Sequence, residues 1–229
     1  MITNKKAPEL NITINGTKIE KVKEFKSLGL IIDEKLTFMP HCNYVTKRLS
    51  TANYILYKNK NFLNFKSKML IYNSLALPHL SYNNAIWGSA PECHLKKVQI
   101  SQNKIIRNII YDPTSSTTDK FHNLKVLNIH EIHEYQCILY MYKIRNNKCP
   151  ESIAESIEIN QFSHRYNTRN KFLKRPQYLL SMSQRAVSYK GPTFWNNLPT
   201  HLQDQSCSLT IFKKQLKTHI LQRVSQIHC

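Results

Sequence analysis

The sequence predicts an α+β fold dominated by helices: a short antiparallel sheet, a helical bundle, and a mixed C-terminal domain. Three observations carry that reading. The first forty residues alternate apolar and polar side chains around turn dipeptides. From Pro40 onward the apolar period changes to that of a helix face. With 229 residues, 41% of them hydrophobic, the chain is also long and apolar enough to bury a core.

Taken in order, "LNITINGTKIEKV" places Asn15-Gly16 between two alternating runs, which predicts a hairpin with a two-residue turn. "FKSLGLIID" follows, with Gly29 inside a strand pattern, a position that marks a bulge or a close backbone approach. Together they predict a three- or four-stranded antiparallel element over about residues 10–38. Val45, Leu49, Ala52 and Leu56 then recur at helical spacing, with Pro40 near the first turn. Phe65 to Leu77 predicts a second helix ending near Pro78, and "LSYNNAIWG" a short link. Pro91 to Ile110 predicts a third helix, apolar at Leu95, Val98, Ile105 and Ile109, with Lys96, Lys97, Lys104 and Arg107 turned away. "DPTSSTTD" (Asp112 to Asp119) is rich in turn and cap residues and marks a boundary. Beyond it come a helix over 130–147, a short one in "CPESIAESI", and an exposed basic loop, "HRYNTRNKFLKRP". "SQRAVSYKGPTFWNNLP" reads as a strand, a Gly-Pro turn and a short helix. The last helix buries Leu209, Phe212, Leu216 and Ile220 and exposes Lys213, Lys214, Lys217 and Arg223. Tyr54 and Tyr57 are read as packing within the bundle.

Lys and Arg number 33 against 14 Asp and Glu, a net charge of +19. The excess is even: 17 basic against 7 acidic side chains over residues 1–113, and 16 against 7 over 114–229. Such a field attracts polyanions, nucleic acid before an anionic membrane surface. Six widely spaced cysteines without a CxxC pair predict reduced thiols and an intracellular protein, cytoplasmic or nuclear. "MITNKKAPEL" has no apolar leader, and no run approaches the ~18 apolar residues of a spanning helix, so the sequons at Asn11 and Asn15 carry no weight.

Catalysis finds little material. Metal-dependent phosphoryl transfer needs clustered carboxylates. The aspartates are Asp33, Asp112, Asp119 and Asp204, none adjacent to another. "IHEIHEY" spaces His130 and His133 as HxxH, not the HExxH that sets two His and a Glu on one zinc site, and reads as a polar helix start. His41/Cys42, Cys93/His94 and His228/Cys229 match no zinc-finger spacing. Four glycines leave no phosphate-cradling loop, and no metal or cofactor is expected.

Two regions read instead as nucleic-acid surfaces. One is the bundle over 40–110, with Lys47, Arg48, Lys58, Lys60, Lys66 and Lys68. The other lies in the span from Ile159 to Gln203, which holds no acidic residue; there Arg165, Arg169, Lys171, Lys174 and Arg175 interleave with Tyr166 and Phe172. Cations neutralise phosphates, and aromatics stack on unpaired bases.

Several stretches resemble one family. "FKSLGLIIDEKLTFMPHCNYVTKRLSTANYIL", "LIYNSLALPHLSYNNAIWGSA" and "LKKVQISQNKIIRNI" are similar to the C-terminal part of a non-LTR (LINE, jockey-like) retrotransposon reverse transcriptase. "YNTRNKFLKRP", "SQRAVSYKGPTFWNNLPTHLQ" and "LTIFKKQLKTHI" continue the likeness in the same order. The resemblance implies three parts: residues 1–39 as palm-end strands, 40–112 as a thumb-like bundle, and 113–229 as a tail domain. It implies a primer-grip-like hairpin at Phe25, Leu28 and Gly29, and RNA, DNA or their hybrid as partner. In the family an aromatic-x-Asp-Asp hairpin binds Mg2+ just upstream of these strands; here the chain starts with "MITNKKAPELNI". The expectation is a truncated polymerase without catalysis of its own, its missing portion supplied in trans if at all. The alternatives are a co-opted protein-interaction module and a non-functional fragment. Steep weakening of nucleic-acid binding with salt separates the first from the second.

Overall fold

The structure, a computed structural model, describes residues 12–150, 152, 173, 175–203 and 208–227, the last four as backbone only. It begins with two separate hairpins. β1 (Thr13–Ile14) pairs with β2 (Thr17–Lys18), and β3 (Glu24–Ser27) with β4 (Leu30–Asp33), both antiparallel. The single three- or four-stranded element is thus corrected to two two-stranded sheets. All of β1 and β2 is exposed, so that hairpin has no apolar face to merge with the second.

Both turns have positive φ at two consecutive residues, Asn15 (49°) and Gly16 (78°), then Leu28 (44°) and Gly29 (83°). This is the backbone hand that matches strand twist in two-residue hairpins. Gly29 therefore lies in the turn rather than within a strand. Close approach is also real: a Cβ there would lie 3.3 Å from the Tyr82 ring.

α1 (Met39–Lys58) carries Pro40 in its first turn, where the missing N–H is not needed. Val45, Leu49, Ala52 and Leu56 are all buried, as their spacing predicts. α2 (Phe65–Ile71) starts at Asn64, whose side chain accepts from the Ser67 N–H at 2.9 Å. The helix does not end near Pro78. A π-helical turn (Tyr72–Ala76) follows directly, and Pro78 falls in the first turn of α3 (Leu77–Ser81). The wider turn shifts the hydrogen-bond ladder, so the proline opens a new segment instead of stopping the old one.

After α4 (Asn84–Trp87), α5 (Glu92–Ile109) runs alongside α1 in the same direction, and Asn108 Nδ2 donates to Asn53 Oδ1 at 2.8 Å. Leu95, Val98, Ile105 and Ile109 are buried against α1. Gln102 is buried among them; its Nε2 donates to Tyr72 Oη (3.1 Å) and to the Leu127 carbonyl (2.9 Å). That side chain ties α5 to the π turn and to the approach to the next long helix.

α6 (Thr117–Asn123) opens with a capping box between Ser116 and Asp119. α7 (Ile129–Arg145) opens with another: Asn128 Oδ1 accepts from the His130 and Glu131 N–H groups, and Glu131 accepts from the Asn128 N–H. "IHEIHEY" is indeed a helix start. α8 (Val187–Asn196) overturns the predicted strand and Gly-Pro turn, because the helix runs straight through Gly191-Pro192. The reason is tertiary: a Cβ at Gly191 would lie 2.6 Å from Met141 Cε of α7, so the glycine is there for packing. α9 (Thr200–Gln203) and α10 (Leu209–Ile227) complete the order. Phe212 of α10 stacks on Tyr142 of α7, ring centroids 4.2 Å apart. One apolar cluster joins Leu30, α1, α5, α7, α8 and α10, and so includes residues on both sides of Asp112–Asp119. The short helix in "CPESIAESI" and the basic loop lie outside the described residues, apart from Ser152, Leu173, Arg175 and Pro176.

Candidate nucleic-acid interface

The second hairpin is fastened to the helices at four points. Asp33 accepts from the Thr37 N–H (3.1 Å), the Thr37 hydroxyl (2.9 Å) and the Phe38 N–H (2.7 Å). These bonds hold the left-handed residues Leu36 and Phe38 that lead into α1. Burial pushes the Asp33 carboxyl up, but the donors from Thr37 and Phe38 outweigh it and hold the group below the usual range. Buried His41 accepts the Ile31 N–H at Nδ1 (3.4 Å), which fixes a neutral ring; burial, aided by His79, lowers its pKa to about 4. The Tyr82 hydroxyl donates to the Leu28 carbonyl at 2.6 Å. The Trp87 indole in turn donates to the Tyr82 carbonyl at 2.7 Å.

The result is a rigidly backed hairpin tip whose outermost side chain, Leu28, is 86% exposed at a positive φ. A leucine is a costly residue for that backbone, and an outlier of this kind points to use rather than to stability. Phe25, across the ladder from Ile32, also faces solvent. Beside the tip, Tyr44 of α1 gathers cations: Lys26 Nζ lies 5.8 Å and the Arg48 guanidinium 5.2 Å from its ring centroid. His79 meets the same ring edge-on.

Along α1 and into α2, Lys47, Arg48, Lys58, Lys60 and Lys66 are exposed, and Lys68 is half-exposed. From Lys35 to Pro91 there is no acidic side chain at all, so this surface has no internal counter-charge. Lys58 lies 5.8 Å from the Tyr54 ring and Lys60 5.4 Å from the Tyr57 ring. Both rings are outward-facing, Tyr54 60% and Tyr57 55% exposed, which corrects their reading as bundle packing. The four buried positions of α1 already fill the contact with α5, and no room is left for two more rings. Sequence reasoning also passed over Lys26, Tyr44 and Tyr82, whose grouping depends on how the hairpin docks. The acid-free run 35–91 was open to composition.

Of the second predicted surface, Arg175 is exposed, with its guanidinium 5.2 Å from the Tyr189 ring. Arg165, Tyr166, Arg169, Lys171 and Lys174 lie outside the described residues.

The placed aspartates serve as local caps. Asp33 does so as above, Asp112 accepts from the Thr114 N–H and hydroxyl, and Asp119 accepts from Ser116. His130 and His133 diverge: the first faces Glu92 at 3.4 Å, and the second is buried with Nδ1 3.0 Å from the Asn84 carbonyl oxygen. Among the described residues no three His, Cys, Asp or Glu side chains gather where a metal ion would be held. Burial pushes the Cys42 and Cys137 thiols up to about 12, far from a reactive thiolate. No helix among the described residues is long and apolar enough to cross a membrane.

A chain with this geometry is related in sequence to the RNA-directed DNA polymerases of non-LTR retrotransposons. It is 31% identical over 179 residues to the RNA-directed DNA polymerase from mobile element jockey of Drosophila funebris, covering 74% of this chain and 19% of the relative. The jockey polymerase of Drosophila melanogaster is 31% identical over 150 residues, 64% of this chain and 16% of the relative. A probable RNA-directed DNA polymerase from transposon X-element of the same species is 31% identical over 101 residues, 43% and 11% respectively. The chain thus spans less than a fifth of the curated relatives it matches. No family model and no solved structure matches it.

Proposed function

We propose that this chain holds the template–primer of a reverse transcriptase and does not itself add nucleotides. The observation that carries the proposal is the face over residues 35–91: exposed Lys47, Arg48, Lys58, Lys60 and Lys66 without one carboxylate among them. Each ammonium or guanidinium that meets a phosphate releases a counterion, so affinity comes from the backbone and not from base sequence. Beside this face the hairpin tip, with Phe25, Leu28 and Gly29, offers an apolar, rigidly backed edge to the primer end. Its position is set by Asp33, His41 and Tyr82. Arg175, with Arg165, Tyr166, Arg169, Lys171 and Lys174, is assigned a second contact farther along the strand. The absence of catalysis follows from the carboxylates: three of the four aspartates are spent on capping, and two-metal chemistry needs several converging on one point.

Fluorescence anisotropy of the full chain on a primed RNA template tests the reading. Binding that weakens about 10³-fold between ~50 and ~200 mM salt is expected, as for six or more phosphate contacts. A salt-independent response or no binding overturns the reading and favours a protein-interaction module. Nucleotide incorporation on the same template with Mg2+ would overturn the second half.

A further inference from the structure

Four aromatic rings are exposed within twelve residues at one end of the bundle. Tyr54 and Tyr57 close α1, Phe62 (88% exposed) occupies the turn, and Phe65 (57%) opens α2. Such exposure adds nothing to stability, because the apolar contact beneath is made by buried Leu56 and partly buried Leu63. The turn that carries the rings is held by hydrogen bonds. The Asn59 N–H returns to the Ile55 carbonyl, the Phe62 and Leu63 N–H groups both donate to the Asn59 carbonyl (3.0 Å), and Asn64 caps α2. The rings are thus presented by ordered backbone, which lowers the entropy lost on engaging a partner. Tyr54 and Tyr57 are three residues apart on one helix and so are surface neighbours. Each has its own lysine ammonium within 6 Å, at 5.8 and 5.4 Å. A ring with a cation at its side matches the repeating unit of one partner above others: a base with its phosphate.

We infer that the end of α1, the following turn and the start of α2 form a stacking platform for unpaired nucleotides, with Tyr54, Tyr57, Phe62 and Phe65 receiving bases and Lys58, Lys60 and Lys66 the phosphates. The inference rests on the nucleic-acid reading above and narrows it. In a duplex the base faces are already stacked on one another, so these rings recognise a single strand, whether template beyond the paired region or a frayed end. Charge complementarity supports a polyanion, since the acid-free run surrounds the platform on both sides in sequence. An anionic lipid surface would use the same lysines, and its binding is an outcome of the test.

The test measures anisotropy of the full chain on a labelled 20-nucleotide oligo(dT), a 20-nucleotide oligo(rU) and a blunt 20-base-pair duplex, all at one salt concentration. The paired variants Tyr54→Ala/Tyr57→Ala and Phe62→Ala/Phe65→Ala each weaken single-strand binding by about 10-fold or more and leave duplex binding within about 2-fold. Tyr54→Phe/Tyr57→Phe keeps single-strand binding, because the ring is retained. Unchanged melting temperatures, expected at such exposed positions, show that folding is not the cause. Equal loss on duplex and single strand, or no loss on either, overturns the platform while leaving the nucleic-acid reading standing. Loss of binding to phosphatidylserine vesicles with oligonucleotide binding untouched overturns it in favour of a lipid surface. A wild-type chain that binds neither oligonucleotide nor duplex overturns both readings.

Discussion

Hairpin β1–β2 turns at Asn15-Gly16 and hairpin β3–β4 at Leu28-Gly29, each through two residues of positive φ, yet only the second is part of the folded body. Every residue of β1 and β2 is exposed, whereas Leu30 of β4 joins the apolar cluster and Asp33, His41 and Tyr82 fasten the rest. The contrast teaches that turn chemistry makes a hairpin, while side chains from elsewhere give it a position. It also suggests why the fastened hairpin tolerates a leucine at its tip: the helices behind it absorb the strain.

Acid should act on the fastened hairpin most strongly. His41 has its folded pKa lowered to about 4 from an ordinary 6.5. Its contribution is therefore complete above about pH 6.5 and is lost as pH falls toward about 4, because the unfolded chain takes the proton first. The loss is about 3 kcal/mol, read from urea unfolding at a series of pH values. His41→Asn keeps an acceptor and should flatten that dependence; an unchanged profile would detach His41 from the hairpin's support. The groups around the ring are the Ile31 N–H, His79, Tyr44 and Trp87.

Asp33→Ala removes an acceptor of three hydrogen bonds and should cost about 2 kcal/mol at neutral pH in the same assay. The corresponding change on the first hairpin, Ile14→Ala, should leave the urea midpoint in place, since Ile14 is exposed.

Gly29→Ala and Gly16→Ala sharpen the contrast further. Both force a Cβ into positive φ, at a local cost of about 1–2 kcal/mol. At Gly29 the Tyr82 ring stands 3.3 Å away and the penalty should appear in global stability. At Gly16 nothing lies within 4 Å, and the hairpin can open alone; the thermal melt should barely move. Equal shifts for the two would erase the distinction. Tyr82→Phe should have the smallest effect, about 1 kcal/mol or less, from loss of the bond to the Leu28 carbonyl.

Much of this fold was legible in the residues. Asn15-Gly16 specified its turn, and the i, i+4, i+7 spacing of Val45, Leu49 and Ala52 specified the buried side of α1, because both signals are local. What failed were places where a distant partner decides. Pro78 reads as a stop, but the π turn before it resets the hydrogen-bond ladder. Gly191-Pro192 reads as a turn, but Met141, fifty residues earlier, needs the missing side chain. The cationic half of the candidate site, Lys47 to Lys68, was legible as a charge pattern. The aromatic half was not: periodicity cannot say that Tyr54 and Tyr57 face water, and Tyr44 finds Lys26 only once the hairpin docks.

The central claim is that the cations of residues 47–68 are the ones that meet phosphates. Its most direct measurement is the slope of log Kd against log salt on a primed template for two charge-matched variants. One carries Lys47→Gln, Arg48→Gln and Lys58→Gln; the other carries Lys213→Gln, Lys214→Gln and Lys217→Gln on the exposed side of α10. The account predicts a slope shallower by about 2–3 for the first variant and by less than about 1 for the second. Equal reductions would mean that the whole positive field binds without a face, and a reduction confined to the second would place the grip on α10.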